Sequence, residues 1–212
     1  VLAQGKDILY LGFSSGLSGT VNSGKLAAEE LAGEYPDATI TVVDTLAASL
    51  GQGLIVWHAA QQKKQGKTLQ EVAAWVEENK LKMAHWFTVD DLNFLKRGGR
   101  VSGASALLGT MLNIKPVLHV DDEGHLISME KVRGRKQSLN ALVDHMEKTA
   151  INPSEQMVFI SHGDSLEDAK YVASEVKRRF SVEDVYINYV GPVIGSHSGP
   201  GTMALFFLGD YR

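Results

Sequence analysis

The sequence predicts an α/β protein of two lobes. The first is built on a parallel sheet and is incomplete at its N-terminal end. The second is a mixed α/β lobe with antiparallel pairing. Three observations predict this. Short apolar runs alternate with helical segments along all 212 residues, the signature of layered α/β architecture. A Gly/Ser-rich stretch follows the first apolar run, as at the carboxyl end of a parallel strand. Asp121-Asp122-Glu123-Gly124 separates two apolar runs as a hairpin turn does, which requires antiparallel neighbours.

The elements follow in order. Residues 7–13 (DILYLGF) form a buried strand, and 21–35 carry helix formers at helical spacing. The β-branched run at 38–43 is a second strand. Residues 46–65 and 69–80 are helices, with Gly66-Lys67-Thr68 as stop and next N-cap. A strand follows at 84–89, then a short helix capped by Asp90 or Asp91 and running to Lys96. Residues 105–113 read as an apolar helix, and 114–120 with 126–132 as the hairpin. Helix 136–150, strand 156–162, helix 165–180 and strand 184–190 come next. Gly191 to Gly201 reads as a shaped loop before an apolar strand at 202–208. The division falls near Lys82, giving lobes 1–82 and 83–212.

Composition narrows the function. Hydrophobic residues make up 44% and charged residues 22%, as in an ordinary globular chain. A formal net charge of −4 with mixed signs offers no basic field for general nucleic-acid binding. With no Cys, disulfides and thiolate metal sites are excluded, and a reducing compartment fits. No apolar run approaches the roughly 20 residues of a membrane span. The start, Val1-Leu2-Ala3-Gln4, reads as the tail of a helix running into a strand, which predicts further residues upstream.

Three segments carry candidate chemistry. In Ser14-Ser15-Gly16-Leu17-Ser18-Gly19-Thr20, Ser18 stands where a helix should begin. There it either caps the first turn or, with free N–H groups, offers its hydroxyl to an anion. Gly12-Phe13-Ser14-Ser15-Gly16 also fits the Gly-x-Ser-x-Gly elbow of hydrolases, with Ser14 as nucleophile and Asp164 and His197 completing a Ser, Asp, His order. His197 sits among four glycines and two prolines, able to donate to a carboxylate or act as a base. No second His or carboxylate stands at ligand spacing, so no metal is expected. His58, His85, His119, His125 and His145 read as surface or half-buried bystanders, and His162 as structural. Arg97-Gly98-Gly99-Arg100 and Arg133-Gly134-Arg135-Lys136 suit anion recognition or mark solvated helix ends.

Taken together, these segments resemble the DegV family of bacterial fatty-acid-binding proteins. The matching residues include 14–20, Val89-Asp90-Asp91-Leu92, Leu95 to Arg100 and Leu107-Leu108-Gly109. They continue through Ile114 to Leu118, Lys131 to Lys136, Gly191 to His197 and Gly199-Pro200-Gly201, in family order over nearly the whole chain. The resemblance implies a long-chain fatty acid such as palmitate, stearate or oleate, held between two lobes without cofactor or catalysis. It places the carboxylate at Ser18, with Ser14, Ser15, His197 and Gly195 around it. Arg100, Arg133 and Arg135 would serve the head group or a fatty acid kinase to which the lipid is presented. The location implied is cytoplasmic. The family's Thr-Ser-Gln-Pro motif, which supplies a further hydroxyl, and a first strand should lie upstream of Val1. Candidate tunnel residues are Phe87, Leu108, Met111 and Ile194. The alternatives are a serine esterase or thioesterase using Ser14 and His197, and a kinase-binding module in which lipid is incidental.

Overall fold

The computed structural model describes residues 1–101 and 113–212. The helix expected at 105–113, with Leu107, Leu108, Gly109 and Met111, falls outside them except for Asn113.

Two sheets organise the described residues. β1 (Ile8–Gly12) and β2 (Ile40–Asp44) pair in parallel, with Ile8 opposite Ile40 and Gly12 opposite Asp44. The crossover between them carries α1 (Thr20–Glu34). After β2 come α2 (Ser49–Lys64) and α3 (Leu69–Asn79). The predicted Thr68 cap is a full capping box: the Glu71 N–H donates to Thr68 Oγ1 at 3.2 Å and the Thr68 N–H to Glu71 Oε2 at 2.8 Å.

The second sheet has six strands in the order β5-β4-β3-β8-β6-β7. These are β3 (Met83–Thr88), β4 (Ile114–Val120), β5 (Leu126–Arg133), β6 (Val158–His162), β7 (Val185–Tyr189) and β8 (Met203–Leu208). β4 and β5 form the predicted hairpin. β6 and β7 are parallel and the remaining pairs antiparallel, so the sheet is mixed. Its helices are α4 (Leu92–Gly98), α5 (Arg135–Thr149), α6 (Leu166–Phe180) and α7 (Pro192–Ser198).

Both faces of this sheet are covered. Met203, Leu205 and Phe207 of β8 pack with Leu142 and Met146 of α5 and Val172 and Val176 of α6. Ala204 and Phe206, one residue out of step, face Leu54 and Ile55 of α2. That two-sided burial explains why β8 reads as an unbroken apolar run. α2 also packs with Val43 of β2 and Val76 of α3, so one core joins the two sheets. Arg212 ties the turn after α3 to the large sheet, donating to the carbonyls of Lys80 (2.9 Å), Met83 (3.3 Å) and Asp121 (2.8 Å). Burial pushes its guanidinium down to about 10.

Two local expectations change. Ser18 does not cap α1: the N-cap is Gly19, and Ser18 lies one residue earlier. The segment Gly191 to Gly201 is not all loop, because Pro192–Ser198 is a helix. Pro192 supplies a preset φ at the first turn and Gly199 (φ +78°) ends it, so glycines and prolines that read as breakers are its terminators.

Candidate ligand cavity

A cavity of about 380 Å³ opens on the α2 face of the large sheet. That is within the range of roughly 300–1,000 Å³ typical of small-molecule sites. Phe13, Leu17, Phe87, Leu95, Val120, Leu126, Val190, Ile194 and Phe206 make most of its wall apolar. Of the expected tunnel residues, Phe87 and Ile194 line it, and Leu108 and Met111 lie outside the described residues.

The mouth is where three sequence motifs meet. Gly99 (φ +68°) ends α4 in the left-handed conformation and turns the chain so that Arg100 points back. The Arg100 guanidinium then donates to Leu17 O of the Ser-rich loop (3.4 Å) and to Gly98 O (2.5 Å). The His197 ring rests on Gly98, where a Cβ would run into its Nδ1. Gly98 is thus the point at which the His-bearing helix α7 and the basic turn close on each other. Gly199 makes the equivalent close approach to the Phe94 ring.

Ser18, Thr20, Arg100 and His197 all line the cavity at this end. Ser18 Oγ and Thr20 Oγ1 share a hydrogen bond of 2.7 Å, and the Thr20 N–H donates to Ser18 Oγ at 3.3 Å. One hydroxyl proton of that pair has no protein acceptor among the described residues. The His197 ring takes part in no hydrogen bond with a described residue, so its N–H is free for a ligand. A mouth of hydroxyl, imidazole and guanidinium donors, backed by an apolar wall, suits an amphipathic anion.

The remaining candidates stand elsewhere. Ser14 is fully buried and outside the cavity lining; its hydroxyl donates to Gly124 O at 2.8 Å and accepts from the Gly16 N–H at 3.2 Å. It locks the Ser-rich loop onto the β4–β5 turn, and with its proton so committed it cannot serve as the esterase nucleophile. Ser15 is exposed, its N–H held by Asp44 Oδ1 at 3.2 Å. Gly195 lies within α7, its carbonyl taking the Gly199 N–H at 2.8 Å. Arg133 is exposed at the end of β5, and Arg135 pairs with Asp168 at 2.8 Å. None of these five is among the described residues that line the cavity.

His85 was read as a bystander and is instead part of the deep wall, 1% exposed. Its Nδ1–H donates to Met83 O at 2.7 Å and its Nε2 accepts the Ala48 N–H at 3.3 Å, which fixes the tautomer. Burial holds this imidazole well below the ordinary His range, and the Arg212 charge pushes the same way. Gly51 leaves room for the ring, since a Cβ there would overlap it. The signal available in sequence was the strand pattern: His85 and Phe87 share a face of β3. His119 is also buried rather than a bystander, stacked on Trp86, and burial lowers it to about 4. His162 is structural as expected, with Nδ1 accepting the Ser165 N–H at 3.1 Å. Among the described residues no cluster of three or more His, Asp or Glu could hold a metal ion, and no helix is long and apolar enough to cross a membrane.

The fold and the cavity define an α/β protein with a largely apolar ligand cavity. A family profile described as "Uncharacterised protein, DegV family" matches residues 1–210, and the chain belongs to the DegV family. It is 55% identical over 209 residues to a DegV domain-containing protein of Clostridium perfringens (strain 13 / Type A), covering 99% of this chain and 72% of that protein. Among solved structures, it is similar to a fatty-acid-binding DegV family protein from Thermus thermophilus, at 35% identity and a TM-score of 0.84, covering 96% of this chain and 71% of that one. It is also similar to a DegV family protein from Ruminococcus gnavus ATCC 29149, described with vaccenic acid, at 27% identity and a TM-score of 0.87, covering 95% and 72%.

Proposed function

We propose that this protein is a fatty-acid carrier. The acyl chain lies along the apolar wall, and the carboxylate is held at the mouth by Ser18, Arg100 and His197. The observation that carries this reading is the convergence of those three donors, from three separate segments, on one apolar cavity. Fatty-acid binding by solved relatives supports it.

Each buried methylene contributes about 0.8 kcal/mol, so a long chain supplies on the order of 10 kcal/mol before ordering costs. The head-group donors therefore set orientation more than affinity. They also satisfy a carboxylate that would be costly to bury bare. A site that holds its ligand by its chain and leaves the head at the mouth fits presentation to a second protein. We assign that role to a fatty acid kinase that acts on the exposed carboxylate. Arg133, exposed at the end of β5, is available to such a partner.

Native mass spectrometry tests the reading. Protein incubated with palmitate or oleate should carry one acyl chain, and the Ser18→Ala/His197→Ala double variant should retain less of it. Failure to recover any acyl chain from the wild type overturns the proposal. Equal retention by the double variant moves the head group elsewhere.

A further inference from the structure

Ser49 and Ser161 both line the cavity, and their Oγ atoms lie 3.0 Å apart. Among the described residues neither hydroxyl has another hydrogen-bond partner. Either can donate to the other. Whichever does, two hydroxyls bring two protons and the shared bond takes one. One proton of the pair is left for the cavity. The remaining polar side chains around it are spent. Ser198 Oγ donates to Ile194 O (3.0 Å) and Thr202 Oγ1 to Gly199 O (2.7 Å). His85 uses both ring nitrogens, on Met83 O and the Ala48 N–H.

The pair is tied to the segments that form the mouth. Ser49 is two residues beyond Ala47, whose carbonyl takes the Ser14 N–H of the Ser-rich loop at 3.0 Å. Ser161 is two residues before Gly163. That glycine accepts the Gly201 N–H at 2.7 Å and donates to Thr202 O at 2.9 Å, in the segment that follows α7 and His197. Ser18 lies in the loop after β1, Ser49 in the connection after β2, and Ser161 at the end of β6. All three hydroxyls thus stand at carboxyl ends of strands, the side on which α/β sheets gather ligands. Ser49 also opens α2, and no side chain caps that helix. The positive end of its dipole lies beside the pair and favours an anion there. Ser49 holds φ at +53°, a strained left-handed conformation of the kind that clusters at ligand sites.

We infer that the Ser49–Ser161 pair is a further arm of the head-group site, donating a hydrogen bond to the fatty-acid carboxylate alongside Ser18 and His197. The inference rests on the fatty-acid reading above and adds two residues to its site. A plain fatty acid carries one acceptor group, so only the carboxylate can take the spare proton. Its two oxygens offer about four lone-pair sites, enough for this donor and those at the mouth. Ser161 is fully buried, so a ligand that left the pair unmet would leave a costly orphan.

The test is competition binding of hexadecanoate and hexadecyl chloride, a chain of the same length without a carboxylate. The variants are Ser49→Ala/Ser161→Ala and Ser49→Gly/Ser161→Ala. Removing both hydroxyls leaves neither one orphaned, and glycine adopts the +53° backbone without strain, so at least one variant should fold. In both, the preference for hexadecanoate over the chloride should fall by about 10-fold or more, the size of one hydrogen bond to a charged group. The bound carboxyl, followed by carbon NMR of hexadecanoate labelled at that atom, should titrate about one pH unit higher, because the lost donor favoured the charged form. If both ligands weaken alike and the titration does not move, the pair is structural; the inference is overturned and the carrier reading stands. If neither ligand weakens, the carboxylate does not meet the pair, with the same consequence. If the wild type binds neither ligand, the carrier reading fails and takes the inference with it.

Discussion

The two faces of the six-stranded sheet are made by the same strands, one residue out of step, yet only one of them is filled. Towards α5 and α6, Trp86, Ile160, Met203, Leu205 and Phe207 pack into a continuous core. Towards α2, the same strands present His85, Phe87, Ser161, Ala204 and Phe206 around a cavity. The difference is side-chain volume and polarity, not backbone. Ser161 and Ala204 are small where Ile160 and Leu205 are large, and Gly51 lets the His85 ring stand where a helix side chain would otherwise fill space. A sheet can therefore hold its fold with one face and its ligand with the other.

Four measurements would break or sharpen that comparison. On the filled face, Phe207→Ala should cost about 3–5 kcal/mol in urea unfolding, because its neighbours cannot collapse into the space. A cost below about 1 kcal/mol would mean that this face is loosely packed too.

The next effect is pH-dependent. Burial lowers His119 from 6.5 to about 4, and His85 is lowered in the same direction. Below pH 6.5 the unfolded chain binds protons that the folded chain refuses, so stability falls with pH. From His119 the loss should reach about 3 kcal/mol by pH 4. Urea midpoints measured across that window should fall steadily, and His119→Gln should flatten part of the slope. A pH-independent midpoint would contradict the burial of both rings.

Ser14→Ala should cost about 1–3 kcal/mol by orphaning the Gly124 carbonyl, while leaving fatty-acid loading intact. Loading lost in proportion to a well-folded Ser14→Ala population would return Ser14 to the site. Ala204→Leu on the cavity face should cost about 1–3 kcal/mol for its added volume and abolish acyl loading in native mass spectra. Loading that survives would place the ligand outside this cavity.

Much of the fold was legible because its periodicities are local. Strand runs, the hairpin turn and the Thr68 cap each declare themselves within a few residues. The helix Pro192–Ser198 did not, since four glycines and two prolines mask a helix too short to show a period. The site was legible in part. Ser18, Arg100 and His197 stood out as unusual residues in Gly-rich segments, and the cavity gathers them. The family resemblance puts the carboxylate at Ser18 with Ser14 and Ser15 around it, because nothing in a seven-residue loop by itself tells which hydroxyl turns inward. His85 showed only through the strand pattern that puts it on the same face of β3 as Phe87.

The sequence by itself determined the α/β class, most of the element order and the segments rich enough in glycine to bring backbone close to a ligand. Those depend on interactions between near neighbours. Only the tertiary structure decided which serine meets the cavity, that Gly98 seats His197 beside Arg100, and that one sheet face stays open. Each of those outcomes depends on contacts between residues far apart in the chain, and on whether the volumes of side chains from several elements sum to a filled space or leave a void.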